Sequence, residues 1–298
     1  MKHLKGELSL AIATLVWGFA FVFQSTATEF LGAFTFNGIR FLLGAASLIP
    51  LLFIRTKFEF DMKKCVKLGI VIGILICLAS NLQQIAISQT SVGKAGFITA
   101  LYMILVPIFG YIFFKDKITK LLIVAISISL CGLFLLCGAT FDINHNDIML
   151  FVGAIFFAIQ IIIVGHYASN VDAIVLSFVQ YIVCGGLSLI IGLIFEDVNL
   201  AGVFKASSSI LYTGILSTGF AYTMQIVGQK DCEPAVASLI MACESLVSAL
   251  AGWLMLHQTL SSQELLGCGL MFIAIILSQI RTKEERNERS KRMSTNNQ

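Results

Sequence analysis

The sequence predicts an all-α integral membrane protein in which ten transmembrane helices form two inverted repeats of five helices each. Three observations predict this fold class. The 298 residues are 57% hydrophobic and 12% charged, with a mean hydropathy of +0.90, a composition foreign to soluble globular domains. The chain divides into ten apolar segments of membrane-spanning length, and its second half aligns with its first at an offset of about 142 residues.

The ten apolar segments follow one another through short connections. About 20 apolar residues cross the hydrocarbon core of a bilayer, so each segment is predicted to be one helix. The segments are 6–24, 31–54, 66–88, 92–114, 118–138, 147–168, 172–195, 207–228, 234–256 and 262–280. The connection 55–65 and the charged tail 281–298 are too short to fold as separate domains, so any function is expected among the helices.

Local signals support individual segments in turn. In the third, Gly69 and Gly73 form a GxxxG pair that predicts close packing against a neighbouring helix. Pro234 stands where the ninth segment begins, a position that favours proline. Ser261 and Glu264 are spaced as a capping box at the start of the tenth.

The positive charges predict the orientation of the chain. Seventeen of the 20 lysines and arginines fall on the side of the N-terminus, Lys94 and Lys205 fall on the other side, and Arg40 lies within a segment. Cytoplasmic loops carry the excess of lysine and arginine, so both termini are expected in the cytoplasm. The net charge of +3 reflects this topology, and no nucleic-acid partner is expected.

An internal alignment relates the two halves, 6–138 and 147–280. At an offset of 142 residues it pairs Ala79 with Ala221, Gln83 with Gln225, Ala95 with Ala237, Ile98 with Ile240, Ala100 with Ala242 and Gly110 with Gly252. Chance matching of apolar residues is the alternative explanation. Because five helices is an odd number, a true repeat places the second half upside down in the membrane, which is the architecture of alternating-access carriers. This pattern favours a secondary transporter.

Four stretches carry a resemblance to a known family: "ATLVWGFAFVFQ", "NGIRFLLGAASLIPL", "SVGKAGFITALYMILVPIFGYIFFKDKIT" and "CEPAVASLIMACESLVSALAGWLMLHQTLSSQELLGCGLMFIAIIL". Over residues 6–280 the chain resembles the two EamA repeats of the drug/metabolite transporter superfamily. The resemblance implies a carrier with a central cavity lined by helices 1–4 and 6–9, helices 5 and 10 being peripheral. It also implies a small-metabolite substrate, such as an amino acid or related amphipathic compound, moved outward across a bacterial cytoplasmic membrane. One departure is that His257 and Gln258 stand where relatives often carry a Gly-Glu pair.

Arg40 lies within the second segment, where a charge costs about 2.5 to 3.5 kcal/mol on insertion scales. Glu244 is the acidic residue that lies equally deep, so the two are predicted to pair. In the internal alignment Arg40 is equivalent to Gln180, where the offset falls to about 140, and Glu244 is equivalent to Tyr102. The repeat therefore predicts a second, neutral contact between Gln180 and Tyr102. Two roles remain open for the charged pair, a structural clamp between the halves or a contact with a charged substrate or a proton.

Polar and aromatic side chains inside the segments are the further candidates for a substrate cavity. Asn81 and Gln84 share one face of the third helix, as Tyr222 and Gln225 share one face of the eighth. Hydrogen bonding between helices is the alternative role for the amides, whereas the aromatic residues suit stacking on a planar or cationic substrate. The residues predicted to line the cavity are Trp17, Arg40, Asn81, Gln84, Tyr102, Gln160, Gln180, Tyr222, Gln225 and Glu244.

The sequence contains no GxxxxGK[ST], HExxH or GxSxG motif, and its eight cysteines form no metal-ligand pattern. An enzyme, a cofactor and a metal are therefore not expected, and the expected partners are membrane lipid and a small-molecule substrate. Transport driven by protons or by exchange, and a homodimer, are left open. The alternative functions are an importer, a carrier of lipid-like substrates, or a non-transporting membrane scaffold or sensor.

Overall fold

The computed structural model describes residues 2–54, 61–90, 92–137, 144–256 and 261–277, and within them every regular element is helical. The main helices are α1 (Lys2–Ala27), α2 (Ala33–Ile54), α3 (Met62–Ile87), α4 (Lys94–Phe114), α5 (Lys120–Cys137), α6 (His145–Tyr167), α7 (Ala173–Phe195), α8 (Ser207–Gln229), α9 (Pro234–Met255) and α10 (Ser262–Leu277). A short helix, Leu200–Lys205, joins α7 to α8.

Eight of these helices are long and apolar enough to cross a membrane. The apolar stretches in α5 and α10 are shorter, Lys120–Leu135 and Ser262–Leu277. The predicted C-terminal ends of these two helices, at residues 138 and 280, lie outside the described residues. The basic tail and the His257–Gln258 departure also lie outside them.

The starts of three helices show local stabilising features, and two of these features are predicted by the sequence. The backbone N–H of Ser261 donates to Glu264 Oε2 over 2.6 Å and the N–H of Glu264 donates to Ser261 Oγ over 3.2 Å, so the predicted capping box is confirmed. Pro234 occupies the first turn of α9, as predicted. A second capping box, between Asn144 and Asp147, starts α6. These bonds satisfy backbone donors that helix starts leave unpaired.

The helices pack in a regular scheme around the centre of the bundle. α2 lies against α7, and α3 lies against both α6 and α7. α1 contacts α8 and α9, while α4 contacts α6 and α9. α5 packs on α10, where a Cβ at Gly132 would lie 2.7 Å from the carbonyl oxygen of Gly267.

Glycines permit the closest helix approaches. A Cβ at Gly69 would lie 2.7 Å from Val179 Cβ, and one at Gly73 would lie 2.8 Å from Val183 Cβ, so the predicted close packing of this GxxxG pair is confirmed. Between α2 and α7 the approach involves backbone on both sides, since a Cβ at Gly185 would lie 2.8 Å from the backbone nitrogen of Leu42. Small residues thus hold α7 against both α2 and α3.

Two polar contacts, one of them an ion pair, join α4 and the residues that follow it to α6. At one end Lys94 Nζ lies 2.7 Å from Asp147 Oδ2. At the other end His166 Nε2 lies 3.1 Å from Asp116 Oδ1.

Helices α4 and α9 are both interrupted near their middle. In α4 the N–H of Leu101 donates to the carbonyl of Ile98 over 3.2 Å, and in α9 the N–H of Cys243 donates to the carbonyl of Ile240 over 3.2 Å. Each bond joins residues three apart in sequence, whereas an α-helical bond joins residues four apart. The irregular turn divides each helix into two α-helical parts. Helix α8 is also irregular, being π-helical over Tyr212–Tyr222.

Candidate functional site

A cavity lies between the helices at the level of these interruptions. It contains about 480 Å³ of space not filled by protein atoms, part of it open to solvent, and residues of α1–α4, α6, α8 and α9 line it. Among the described residues α7 contributes no lining side chain. The predicted site residues that line the cavity are Trp17, Arg40, Tyr102, Gln160, Tyr222, Gln225 and Glu244.

Arg40 enters the cavity from α2 and is only 2% exposed. Its Nε donates to Asn37 Oδ1 over 2.7 Å, one helical turn earlier. The guanidinium carbon lies 4.7 Å from the centre of the Phe41 ring, within the range of a cation–π contact. The predicted ion pair with Glu244 is wrong, because the side chain that holds Arg40 is the neutral amide of Asn37.

A chain of amides holds Asn37 in turn. Its Nδ2 donates to the carbonyl of Ser80 over 3.0 Å and to Asn81 Oδ1 over 2.9 Å. Asn81 Nδ2 donates to Ser188 Oγ and to the carbonyl of Cys77, both over 2.7 Å. Asn81 therefore lies behind the cavity lining and fixes the orientation of Arg40 through Asn37, with side chains from α2, α3 and α7.

Glu244 enters the cavity from the first turn of the second half of α9. Its Oε1 accepts a hydrogen bond of 3.1 Å from the hydroxyl of Tyr102 in α4. The predicted partner of Tyr102 was Gln180, and this prediction is also wrong. Glu244 and Tyr102 occupy positions that the internal alignment makes equivalent, so the two interrupted helices meet at their interruptions.

Aromatic rings form one wall of the cavity. Trp17 and Tyr222 meet edge to face, with ring centroids 4.8 Å apart and an angle of 62° between the planes. The indole N–H of Trp17 donates to the carbonyl of Ser217 over 3.2 Å, which fixes the ring against the π-helical part of α8. The wall offers ring surface to a ligand while its polar N–H is already satisfied.

Glutamines connect α6 to α8 at the cavity. Gln225 Nε2 donates to Gln160 Oε1 and to Gln229 Oε1, both over 3.1 Å, and Gln229 Nε2 donates to the carbonyl of Ile161 over 2.9 Å. Two atoms of this group, Gln160 Nε2 and Gln225 Oε1, are buried without a hydrogen-bond partner. The glutamines thus join the helices and leave a donor and an acceptor unused.

Two further predicted residues lie away from the cavity lining. Gln84 Nε2 donates to the backbone carbonyl of Gln24 over 3.0 Å, so it joins α3 to α1. Gln180, in α7, is fully buried and neither of its amide atoms has a partner.

Sequence reasoning missed several polar residues of the site. Gln24, Gln83, Thr99 and Ser217 line the cavity, and Asn37 holds Arg40 from behind. Two signals were present in the sequence. Asn37 lies three residues before Arg40, on the same helix face, and Gln83 aligns with Gln225 in the internal repeat.

The described residues contain no group of three or more His, Cys, Asp or Glu side chains arranged to hold a metal ion. Seven described cysteines are free thiols.

The chain is similar to proteins of one family. The family described as the EamA-like transporter family matches it twice, over residues 4–138 and 146–279. A protein of Archaeoglobus fulgidus named "Uncharacterized transporter" is 26% identical over 285 residues, which cover 94% of this chain and 88% of that protein. YoaV of Bacillus subtilis, also named an uncharacterized transporter, is 23% identical over 281 residues, covering 92% and 96% of the two chains.

A solved structure, described only as "Crystal structure of protein", superposes with a TM-score of 0.71 at 17% sequence identity. It covers 91% of this chain and 98% of its own. At this identity the likeness concerns the fold alone.

Proposed function

Because the chain belongs to the EamA-like transporter family of the drug/metabolite transporter superfamily, we propose that it is a secondary transporter that moves a small metabolite by alternating access. The observation that carries the proposal is the cavity between the helices. It is lined by a buried arginine, a buried glutamate and aromatic rings, and charged side chains inside a membrane helix bundle commonly mark the pathway of a substrate or an ion.

We further propose that two inverted five-helix repeats, 6–138 and 147–280, form this carrier. The family matches the chain twice at nearly these bounds. The packing scheme supports a two-fold relation, because α1 packs on α9 as α4 packs on α6, and α3 packs on α6 and α7 as α8 packs on α1 and α2. Equivalent positions that touch, such as Tyr102 and Glu244, are expected on the axis of such a relation.

The substrate that we propose is an amino acid or a related amphipathic compound, moved outward across a bacterial cytoplasmic membrane, with both termini in the cytoplasm. The position of the cavity supports a small-molecule ligand, since residues of seven helices enclose it between them. The mixed lining of charges, amides and rings supports an amphipathic ligand.

Cysteine labelling tests alternating access without knowledge of the substrate. In a background without the eight native cysteines, Thr99→Cys and Ser217→Cys place near-isosteric thiols in the cavity lining. A membrane-impermeant maleimide is added to right-side-out and to inside-out vesicles. Ser129→Cys serves as the matched control, since Ser129 is fully buried in α5 and is not a lining residue.

We expect Thr99→Cys and Ser217→Cys to react from both sides of the membrane, because a carrier exposes one cavity alternately to each side. The Ser129→Cys control is expected to stay unlabelled. Protection of both cavity positions in both vesicle orientations would refute the carrier and favour a scaffold or sensor. Labelling from one side alone would refute alternating access.

A further inference from the structure

A second concave surface lies at one end of the bundle, apart from the central cavity. It is a groove between the start of α3 on one side and the end of α6 with the turn that leads to α7 on the other. Its lining residues are Lys64, Lys67, Leu68, Val71, Tyr167, Asn170 and Val171, and we call it the lysine groove. None of these residues lines the central cavity.

Two contacts hold the walls of the lysine groove together. The backbone N–H of Asp172 donates to Cys65 Sγ over 3.4 Å, which joins the turn after α6 to the first turn of α3. A Cβ at Gly69 would lie 2.7 Å from Val179 Cβ, so α3 and α7 touch directly after the lining residue Leu68. Because these contacts already fix the walls, a ligand that binds between them has little protein structure to order.

The two lysines give the groove two positive charges without a counter-charge in its lining. Lys64 and Lys67 lie three residues apart, so their side chains share one face of α3. Both are exposed, and neither ammonium group has a hydrogen bond or an ion pair within the described part of the chain. Asp61 and Asp172, the carboxylates nearest to the lining in sequence, cap the starts of α3 and α7 and do not line the groove.

Further groups near the lysines suit an anion with several oxygens. Lys230 Nζ donates to the backbone carbonyl of Val171 over 3.0 Å, so another positive charge lies against the lining. The hydroxyl of Tyr167 and the amide of Asn170 are exposed and have no hydrogen-bond partner among the residues that the structure describes. Ammonium, hydroxyl and amide donors that converge in this way fit the oxygens of a phosphate group.

The outer face of α3 indicates what carries the phosphate. Beyond Lys67 the lining continues with Leu68 and Val71, and Ile74 and Leu78 follow at helical spacing. Val71, Ile74 and Leu78 are each 43% exposed, so an apolar surface runs from the groove along a helix of membrane-spanning length. Lys64 and Val71 lie about 10 Å apart along the helix axis. Charge therefore gives way to apolar surface over this distance, as the headgroup of a phospholipid gives way to its acyl chains.

We propose that the lysine groove binds an anionic glycerophospholipid, with its phosphate at Lys64 and Lys67 and an acyl chain along Leu68 and Val71. The orientation expected from the positive charges places this end of the bundle at the cytoplasmic leaflet, where basic side chains attract anionic lipid. Since α3 belongs to the first match of the family and Asn170 to the second, the bound lipid bridges the two halves of the chain. The assignment does not depend on which substrate is transported.

Lipid binding to the full-length chain, purified in an uncharged detergent, tests the assignment. The probes are phosphatidylglycerol, phosphatidylcholine with the same acyl chains, glycerol 3-phosphate and inorganic phosphate. Bound lipid is counted by native mass spectrometry, and affinity is taken from the shift in melting temperature. We expect phosphatidylglycerol to raise the melting temperature saturably, phosphatidylcholine to bind at least about fivefold more weakly, and the two water-soluble phosphates to have no effect at the same concentrations.

Two of these outcomes would overturn the proposal directly. Equal shifts with phosphatidylglycerol and inorganic phosphate would identify a site for a free anion, with no part for the acyl chain. Equal affinity for phosphatidylglycerol and phosphatidylcholine would mean that the lysines do not select the headgroup.

A pair of double substitutions assigns the headgroup to its residues. Lys64→Gln with Lys67→Gln removes both charges from the groove, and the matched control, Lys5→Gln with Lys120→Gln, removes two exposed lysines that do not line it. We expect the affinity for phosphatidylglycerol to fall at least about tenfold in the first variant and by less than about twofold in the control. An equal loss in both variants would reduce the effect to overall charge and overturn the site.

Two adjacent cysteines locate the lipid without changing a lysine. In the background without native cysteines, Asn170→Cys places a thiol in the groove, and Ser169→Cys places one at an exposed neighbour that is not a lining residue. Phosphatidylglycerol should slow the reaction of Asn170→Cys with a maleimide at least about fivefold and leave Ser169→Cys unchanged, while phosphatidylcholine changes neither. Equal slowing at both positions, or at neither, would overturn the proposal even if the lysine variant does not fold.

Discussion

Two adjacent glycines of α7, Gly185 and Gly186, allow the packing of α2 against α7 to be tested with a built-in control. A Cβ added at Gly185 would lie 2.8 Å from the backbone nitrogen of Leu42 and 3.1 Å from the carbonyl oxygen of Gly38. A Cβ added at Gly186 would meet no atom within 4 Å. Alanine at the two positions therefore adds the same methyl group to the same helix, once against backbone and once in open space.

The magnitude follows from these distances. Ordinary contact of a Cβ begins at 3.4 Å, so the methyl group of Gly185→Ala overlaps backbone of α2 by about 0.6 Å and the helices have to separate. Overpacking of this kind costs about 1 to 3 kcal/mol. Both substitutions gain about 0.5 to 1 kcal/mol of helix propensity, which cancels when the variants are compared. We expect Gly185→Ala to be less stable than Gly186→Ala by about 1 to 3 kcal/mol.

The comparison is made on detergent-purified chains, by denaturant unfolding or by the apparent melting temperature at one scan rate. Gly186→Ala is expected at or above the wild type, and Gly185→Ala below it. Equal stability of the two variants would refute the close backbone approach of α2 and α7. Since α2 carries Arg40, Gly185→Ala should also weaken ligand binding, and Gly186→Ala should not.

Three further substitutions probe buried polar groups. Asn37→Ala removes the acceptor that holds Arg40 Nε, so we expect a loss of about 2 to 4 kcal/mol in unfolding free energy and weaker ligand binding. The carboxylate of Glu196 accepts hydrogen bonds from two backbone N–H groups at the start of α2, over 2.9 and 2.8 Å. We expect Glu196→Ala to lower the unfolding free energy by about 1 to 2 kcal/mol. The control is Glu29→Ala, at an exposed position, which should leave the unfolding free energy unchanged. Gln180→Met replaces a buried amide without partners by an apolar side chain of similar size, and we expect unfolding free energy to stay the same or rise by up to about 2 kcal/mol.

Each of these expectations has a clear contrary result. Ligand binding unchanged in Asn37→Ala would mean that Arg40 keeps its orientation without the amide chain. A loss of stability in Gln180→Met would mean that its amide has hydrogen bonds that the structure does not contain, and a large loss in Glu29→Ala would mean that charge alone, and not the cap, stabilises this end of the bundle.

Local features were predictable from the sequence. The capping box of Ser261 and Glu264 depends on residues three apart, and Pro234 acts within its own turn, so neither depends on how the helices are arranged. The apolar segments could also be predicted from the sequence, because a helix that crosses a membrane requires a continuous run of apolar residues.

Contacts between helices were not predictable in the same way. Pairing Arg40 with Glu244 assumed that equal depth and opposite charge bring two side chains together, yet Asn37 lies one turn from Arg40 and Tyr102 faces Glu244 across the meeting of α4 and α9. Depth in the membrane does not determine which way a helix is turned about its axis.

The choice between neighbouring glutamines shows the same limit. Successive residues point about 100° apart on a helix, so the rotation of α3 decides that Gln83 lines the cavity while Gln84 reaches the backbone of α1. From composition and spacing alone, Gln83 and Gln84 are equally good candidates for the cavity lining. The packing of α3 on α6 and α7 decides which of the two lines it.

The two polar contacts that join α4 and the residues after it to α6 have a mechanical consequence. Lys94 contacts Asp147 near one end of α4, and Asp116, just after the other end, contacts His166, so α4 is held against α6 at both ends. Sliding α4 along α6, or swinging either end away, would break one of the contacts. While both contacts hold, α4 can contribute to a change in the shape of the cavity only by bending between them. The irregular turn at Leu101, directly beside the tyrosine that contacts Glu244, is where such a bend would be easiest.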